Sequence, residues 1–139
     1  MLKGEEGIMR GSCLCGRVKY LIQGEPRQVV GCHCTQCRKA SGHYVAATQT
    51  HNDQLQVERQ SNITWFQSST TARRGFCKNC GSQLFWARLD SAHTSVMAGT
   101  IDGDTGLRMD RQLYPETKGD YYALPDIETV EQFSLKMDQ

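Results

Sequence analysis

Apolar and polar residues alternate along most of this chain in short runs, separated by Gly, Pro, Asn, Asp and Ser. That period-two rhythm predicts half-buried strands rather than helices. Residues 8–12 and 18–22 read as two strands, with Gly11 and Gly16 flanking Cys13-Leu14-Cys15 at the turn between them. Pro26 breaks the chain, and a short strand over 28–31 runs into a cysteine-rich segment. Residues 35–40 read as one helical turn, stopped by Gly42. Further strands are predicted over 44–48, 55–57, 62–67, 72–77, 84–86 and 94–98, with a brief one at 113–114. Residues 102–106 are a turn and 115–120 a loop, while 127–135 read as a terminal helix or a tail. The turn at Asp102-Gly103-Asp104 is no EF-hand, because Leu113 stands where the bidentate Glu belongs. The pattern predicts a single domain over 1–139, mainly β with roughly eight to ten short strands. Its core spans about 8–125, and 126–139 form a tail or short terminal helix.

Composition narrows the function classes. The chain has 139 residues, 38% hydrophobic and 22% charged, with a net charge of +1. Nothing global draws it to nucleic acid or to an anionic membrane surface. No apolar run approaches the roughly 18 residues of a membrane span. The first ten residues carry Lys3, Glu5, Glu6 and Arg10 with no apolar stretch, so the expected location is the cytoplasm.

The chemistry lies in seven cysteines grouped as Cys13-Leu14-Cys15, Cys32-His33-Cys34-Thr35-Gln36-Cys37 and Cys77-Lys78-Asn79-Cys80. In a reducing compartment such clusters are metal-ligand patterns rather than a disulfide framework. Residues two apart on a strand face one side, so both sulfurs of a CxC reach one ion. Gly81 after Cys80 suits a knuckle whose backbone turns with positive φ while its amides point at the sulfurs. Spacing alone does not fix which cysteines share a metal. Cys32, Cys34 and Cys37 can meet at one ion unaided, whereas Cys13-Cys15 and Cys77-Cys80 are each half a site. Joined, those halves would make a four-cysteine zinc whose binding free energy is also folding free energy.

Three ligands leave a zinc position for a substrate unless a histidine closes it. His33 lies between two ligands and by alternation points away; His43, His51 and His93 are the other candidates. Three thiolates leave divalent zinc with a net charge of about −1, which weakens its Lewis acidity and disfavours hydrolysis by zinc hydroxide. An external thiolate as fourth ligand fits better, and with it the addition of a thiol to a small carbonyl, or the reverse C–S cleavage. Arg38 is a candidate for holding a substrate carboxylate, Lys39 reads as a solvated basic turn, and of Arg73-Arg74 at most one faces inward. Two other classes compete. A zinc-ribbon module binding protein or nucleic acid has only those short basic pairs to offer. A redox or metal sensor would release zinc from the three-cysteine site on oxidation while a buried four-cysteine site resists.

Gly11-Ser12-Cys13-Leu14-Cys15-Gly16-Arg17-Val18, the segment Cys32 to Lys39, and Phe76-Cys77-Lys78-Asn79-Cys80-Gly81-Ser82 together resemble the glutathione-dependent formaldehyde-activating enzyme family, which includes centromere protein V. The resemblance covers roughly residues 10–125. It implies a β-tent fold on a zinc-ribbon-like core with two zinc ions. By the same resemblance, Cys13, Cys15, Cys77 and Cys80 hold a structural zinc, and Cys32, Cys34 and Cys37 hold the catalytic one. It further implies carbon–sulfur lyase activity, forming S-hydroxymethylglutathione from formaldehyde and glutathione.

Overall fold

The computed structural model describes residues 7–132. In chain order the strands are β1 (Ile8–Ser12), β2 (Lys19–Gln23), β3 (Val29–Cys32), β4 (Val45–His51), β5 (Leu55–Glu58), β6 (Ile63–Gln67), β7 (Ala72–Cys77), β8 (Gln83–Arg88), β9 (His93–Met97), β10 (Met109–Leu113) and β11 (Glu128–Thr129), with one α-helix, α1 (Thr35–Ser41). The chain is mainly β, as its alternation requires. Strands β1-β2-β5 form a small antiparallel sheet. The remaining eight form a second sheet in the order β11-β10-β3-β4-β9-β8-β7-β6. That sheet is antiparallel except where β10 runs parallel to both β3 and β11.

The main core lies where the small sheet meets the β7–β9 region of the large one. Met9, Tyr20 and Ile22 pack in one cluster with Leu84, Phe85 and Val96, all buried. Gly11 bridges to Ile101, and a Cβ there would overlap the Tyr20 ring and sit 2.6 Å from the Thr100 carbonyl oxygen. The missing side chain is thus what lets Tyr20 bury its ring with its hydroxyl 2.6 Å from Thr100 Oγ1. A second, smaller core of Cys37, Val45, Ala47 and Met97 lies where α1 packs on the sheet, with Cys32, Cys34 and Trp86 against it.

Two expectations need correction. Strand β10 begins at Met109, well before the predicted 113–114. Its alternation is hidden because Gln112, not an apolar residue, takes a buried position. Instead of a tail or helix beginning at 126, the chain forms β11. The Gln112 side-chain amide donates to the Pro125 and Ile127 carbonyls, each at 3.2 Å, and the Val130 amide donates to the Gln112 carbonyl. Those bonds hold residues 127–130 in extended form, and the part of the expectation over 133–139 lies outside the described residues. The helical turn fares better. Cys34 is the N-cap of α1, its sulfur accepting from the Cys37 amide, and Gly42 ends the helix at φ +87°.

Candidate metal centres and the cleft beside them

The β1–β2 turn carries Cys13 and Cys15, and the β7–β8 turn carries Cys77 and Cys80. The structure brings the two turns together, so that these four sulfurs all lie within 4.8 Å of one another. Cys15 Sγ is 3.6 Å from Cys13 Sγ and 3.8 Å from Cys77 Sγ. A tetrahedron with Zn–S bonds near 2.3 Å has an edge of about 3.8 Å, so the spacing fits a thiophilic metal.

The backbone around these sulfurs is arranged to stabilise thiolates. Cys77 Sγ accepts from the Asn79 and Cys80 amides and from the Asn62 side chain, at 3.3–3.4 Å. Cys13 Sγ accepts from the Val18 amide at 3.3 Å. Gly81 has φ +80°, the turn needed for that knuckle. The Leu14 amide donates to Ser82 Oγ at 2.9 Å, leaving the Ser82 hydroxyl to donate to Cys80 Sγ. That hydrogen bond from Ser82 draws the Cys80 thiol down to about 5, whereas burial pushes Cys13 up. The cluster is not uniformly buried: Cys15 is exposed.

The second cluster is built from the end of β3 and the start of α1. Cys32, Cys34 and Cys37 also place their sulfurs within 4.8 Å of one another, and among the described residues no His, Asp or Glu joins them. Hydrogen bonds from the Cys32 and Cys37 thiols hold Cys34 far below the ordinary thiol range, and the same bond raises Cys32.

The histidines are engaged elsewhere. His33 is fully buried and turned from the cluster, Nε2 lying 2.9 Å from Gln112 Oε1 and Nδ1 2.6 Å from the Tyr122 hydroxyl. Since Gln112 Nε2 donates to two carbonyls, Gln112 Oε1 must accept; His33 is then the Nε2–H tautomer, taking a hydrogen bond from Tyr122. Burial pushes its pKa below the ordinary histidine value. His43 Nδ1 is 2.9 Å from the Tyr121 hydroxyl, and the His51 and His93 rings pack at a tilt of 52° across β4 and β9. Gln112 and Tyr122 thus tie the C-terminal segment to the cysteine segment through His33. Gln112 sits in a polar stretch that gives no sequence signal for this role.

The basic residues separate by side of strand and helix. Arg73 lies outward over the Trp65 ring, 3.9 Å from its centroid, while Arg74 is only 6% exposed. Arg38 donates to the Thr117 carbonyl at 3.2 Å, fastening α1 to the turn after β10. It is Lys39 and Arg74, not Arg38, that line a cleft of about 370 Å³ between α1 and the β6–β8 strands. Gln36, Phe66, Phe76 and Gln83 complete most of its wall, and no acidic residue lines it. A cavity of about 340 Å³ over the small sheet contains no cysteine.

Among the described residues, no helix is long and apolar enough to cross a membrane. The family model of the glutathione-dependent formaldehyde-activating enzymes matches residues 8–117. An uncharacterized lyase of Schizosaccharomyces pombe is 30% identical over 114 residues, covering 81% of this chain and 82% of that protein. A crystal structure of a Rhodobacter sphaeroides protein is similar with a TM-score of 0.56 at 26% identity, covering 70% of this chain and 92% of the other. With two cysteine clusters able to hold metal ions and a family match that takes in both, the chain belongs to the glutathione-dependent formaldehyde-activating enzyme family.

Proposed function

We propose that this protein is a carbon–sulfur lyase whose substrates are a thiol, glutathione or one like it, and a small aldehyde such as formaldehyde. Cys13, Cys15, Cys77 and Cys80 would hold a structural zinc, and Cys32, Cys34 and Cys37 a catalytic one. When bound there, zinc with three thiolates carries a net charge of about −1 and keeps a fourth thiolate sulfur nucleophilic. The observation that supports this reading is the three-sulfur group itself. It has no fourth protein donor among the described residues, and Arg74 links it to a basic cleft.

The chain's own residues then have distinct tasks. The three cysteines present the site, with the Cys37 amide donating to Cys34 Sγ at 3.4 Å to hold it in place. Lys39 gives the cleft a positive charge suited to a carboxylate of an acidic thiol. Phe66 and Phe76 offer apolar surface to its carbon chain. In the reaction a C–S bond forms between the thiol sulfur and the carbonyl carbon as the C=O π bond breaks. The thiol's proton leaves to solvent and the new hydroxyl takes one from solvent, so the sum is simple addition. Exchange NMR on glutathione and formaldehyde tests the proposal. Protein should speed exchange between free glutathione and its hydroxymethyl adduct, and Cys34→Ser should remove that acceleration while leaving the fold. An exchange rate unaffected by protein would refute the assignment.

A further inference from the structure

Among the described residues, Arg74 is a buried cation without a carboxylate partner. It lies on β7 directly opposite Phe66 of β6 and Trp86 of β8, and residues so paired share a face of the sheet. Trp86 packs against the three-cysteine core, which places Arg74 on that same side. Its Nη2 is 3.8 Å from Cys37 Sγ and 3.5 Å from Gln36 Oε1. Among the described residues no ion pair joins Arg74 to a carboxylate.

Removing a guanidinium from water costs several kcal/mol unless an anion compensates. Gln36 supplies only a neutral dipole. The compensating charge within reach is sulfur, and three thiolates around a divalent metal carry about one surplus negative charge. One buried cation balances it. An apolar residue would pack between Phe66 and Trp86 at lower cost, so charge is the property that distinguishes arginine here.

We propose that Arg74 is a positioning residue, the dedicated counter-charge of the three-cysteine cluster, and that it sets how readily the cluster accepts a further anionic sulfur. The proposal rests on metal binding at Cys32, Cys34 and Cys37. A fourth thiolate brings the cluster to about −2, and Arg74, lining the cleft as well as touching Cys37, is the buried positive group positioned to offset that gain. Among the described residues the four-cysteine cluster has no equivalent: its sulfurs are served by neutral amide donors and the Ser82 hydroxyl. It also needs no fifth ligand.

Cobalt titration of the wild type, Arg74→Met and Arg74→Lys, followed by visible absorption, tests this. The wild type should bind two cobalt ions. Arg74→Met should keep wild-type affinity at the four-cysteine site and lose roughly tenfold or more at the other, the usual size for a partner of a metal ligand. The glutathione concentration that half-saturates the spectral change should rise in parallel, and Arg74→Lys should restore most of both. Equal cobalt and glutathione affinities in wild type and Arg74→Met overturn the proposal alone. One cobalt per wild-type chain overturns the metal reading and the proposal with it. Should Arg74→Met fail to fold, nitrogen NMR of the wild-type Arg74 guanidinium decides. Its resonance should move when the second metal binds and again on adding glutathione, and an unmoved resonance overturns the proposal.

Discussion

The two cysteine clusters use the same ligand type but are built in opposite ways. The four-cysteine cluster joins two β-turns that lie more than sixty residues apart in sequence, beside the main core that unites the two sheets. The three-cysteine cluster is local, formed within six residues by a strand end and a helix start, at the edge of a smaller core. The first has a complete tetrahedral donor set, each hairpin donating amides to sulfur. The second has three donors, a buried arginine and a cleft. A cross-link between distant segments lowers the freedom of the unfolded chain, whereas a local cluster cross-links little. On the proposed reading the first is a clamp and the second a reactive site.

Breaking the clamp should have the largest effect. Cys80→Ser should unfold or aggregate the protein, because a structural zinc supplies roughly 10–16 kcal/mol of apparent binding free energy and domains hold only about 5–15 kcal/mol in all. A soluble Cys80→Ser protein with an unchanged melting temperature would contradict the contrast. Cys34→Ser should instead keep the melting temperature within a few degrees and lose the glutathione-dependent activity. Precipitation of that variant would show that the second cluster is structural too. A graded chelator should separate the clusters further, removing one metal without change in the far-ultraviolet circular dichroism and the second only with unfolding. Simultaneous loss of both metals would erase the distinction. Smaller effects test the frame. Gly11→Ala should destabilise by about 1–3 kcal/mol in denaturant melts by displacing Tyr20, while metal content stays the same. His33→Leu leaves Gln112 Oε1 and the Tyr122 hydroxyl unpaired, at about 1–3 kcal/mol, and should weaken the glutathione response of the nearby cluster without touching the clamp.

Much of this was legible in the sequence. Alternation marked the strands of the small sheet and those from β6 to β9, and the cysteine motifs marked both clusters. Gly42 and Gly81 signalled the left-handed turns they make. What spacing could not supply was the meeting of the Cys13-Cys15 and Cys77-Cys80 turns, which depends on how the sheets pack. The choice between Arg73 and Arg74 was equally closed, since alternation says that one points inward but not which. Strand β10 escaped because one of its two buried positions is a glutamine, whose partners His33, Pro125 and Ile127 are distant in sequence. Arg38 illustrates the same limit of local reading. It follows the cysteines directly, yet its guanidinium reaches the Thr117 carbonyl, while Arg74, arriving from another strand, touches the cluster.

The central claim is that one cluster is closed and the other accepts a thiol. Visible absorption of the cobalt-substituted wild-type protein during a glutathione titration tests it most directly. Two cobalt ions per chain are expected, with a saturable change in the d–d and thiolate charge-transfer bands of one of them. Two bound cobalt ions with a spectrum that glutathione leaves flat would contradict it.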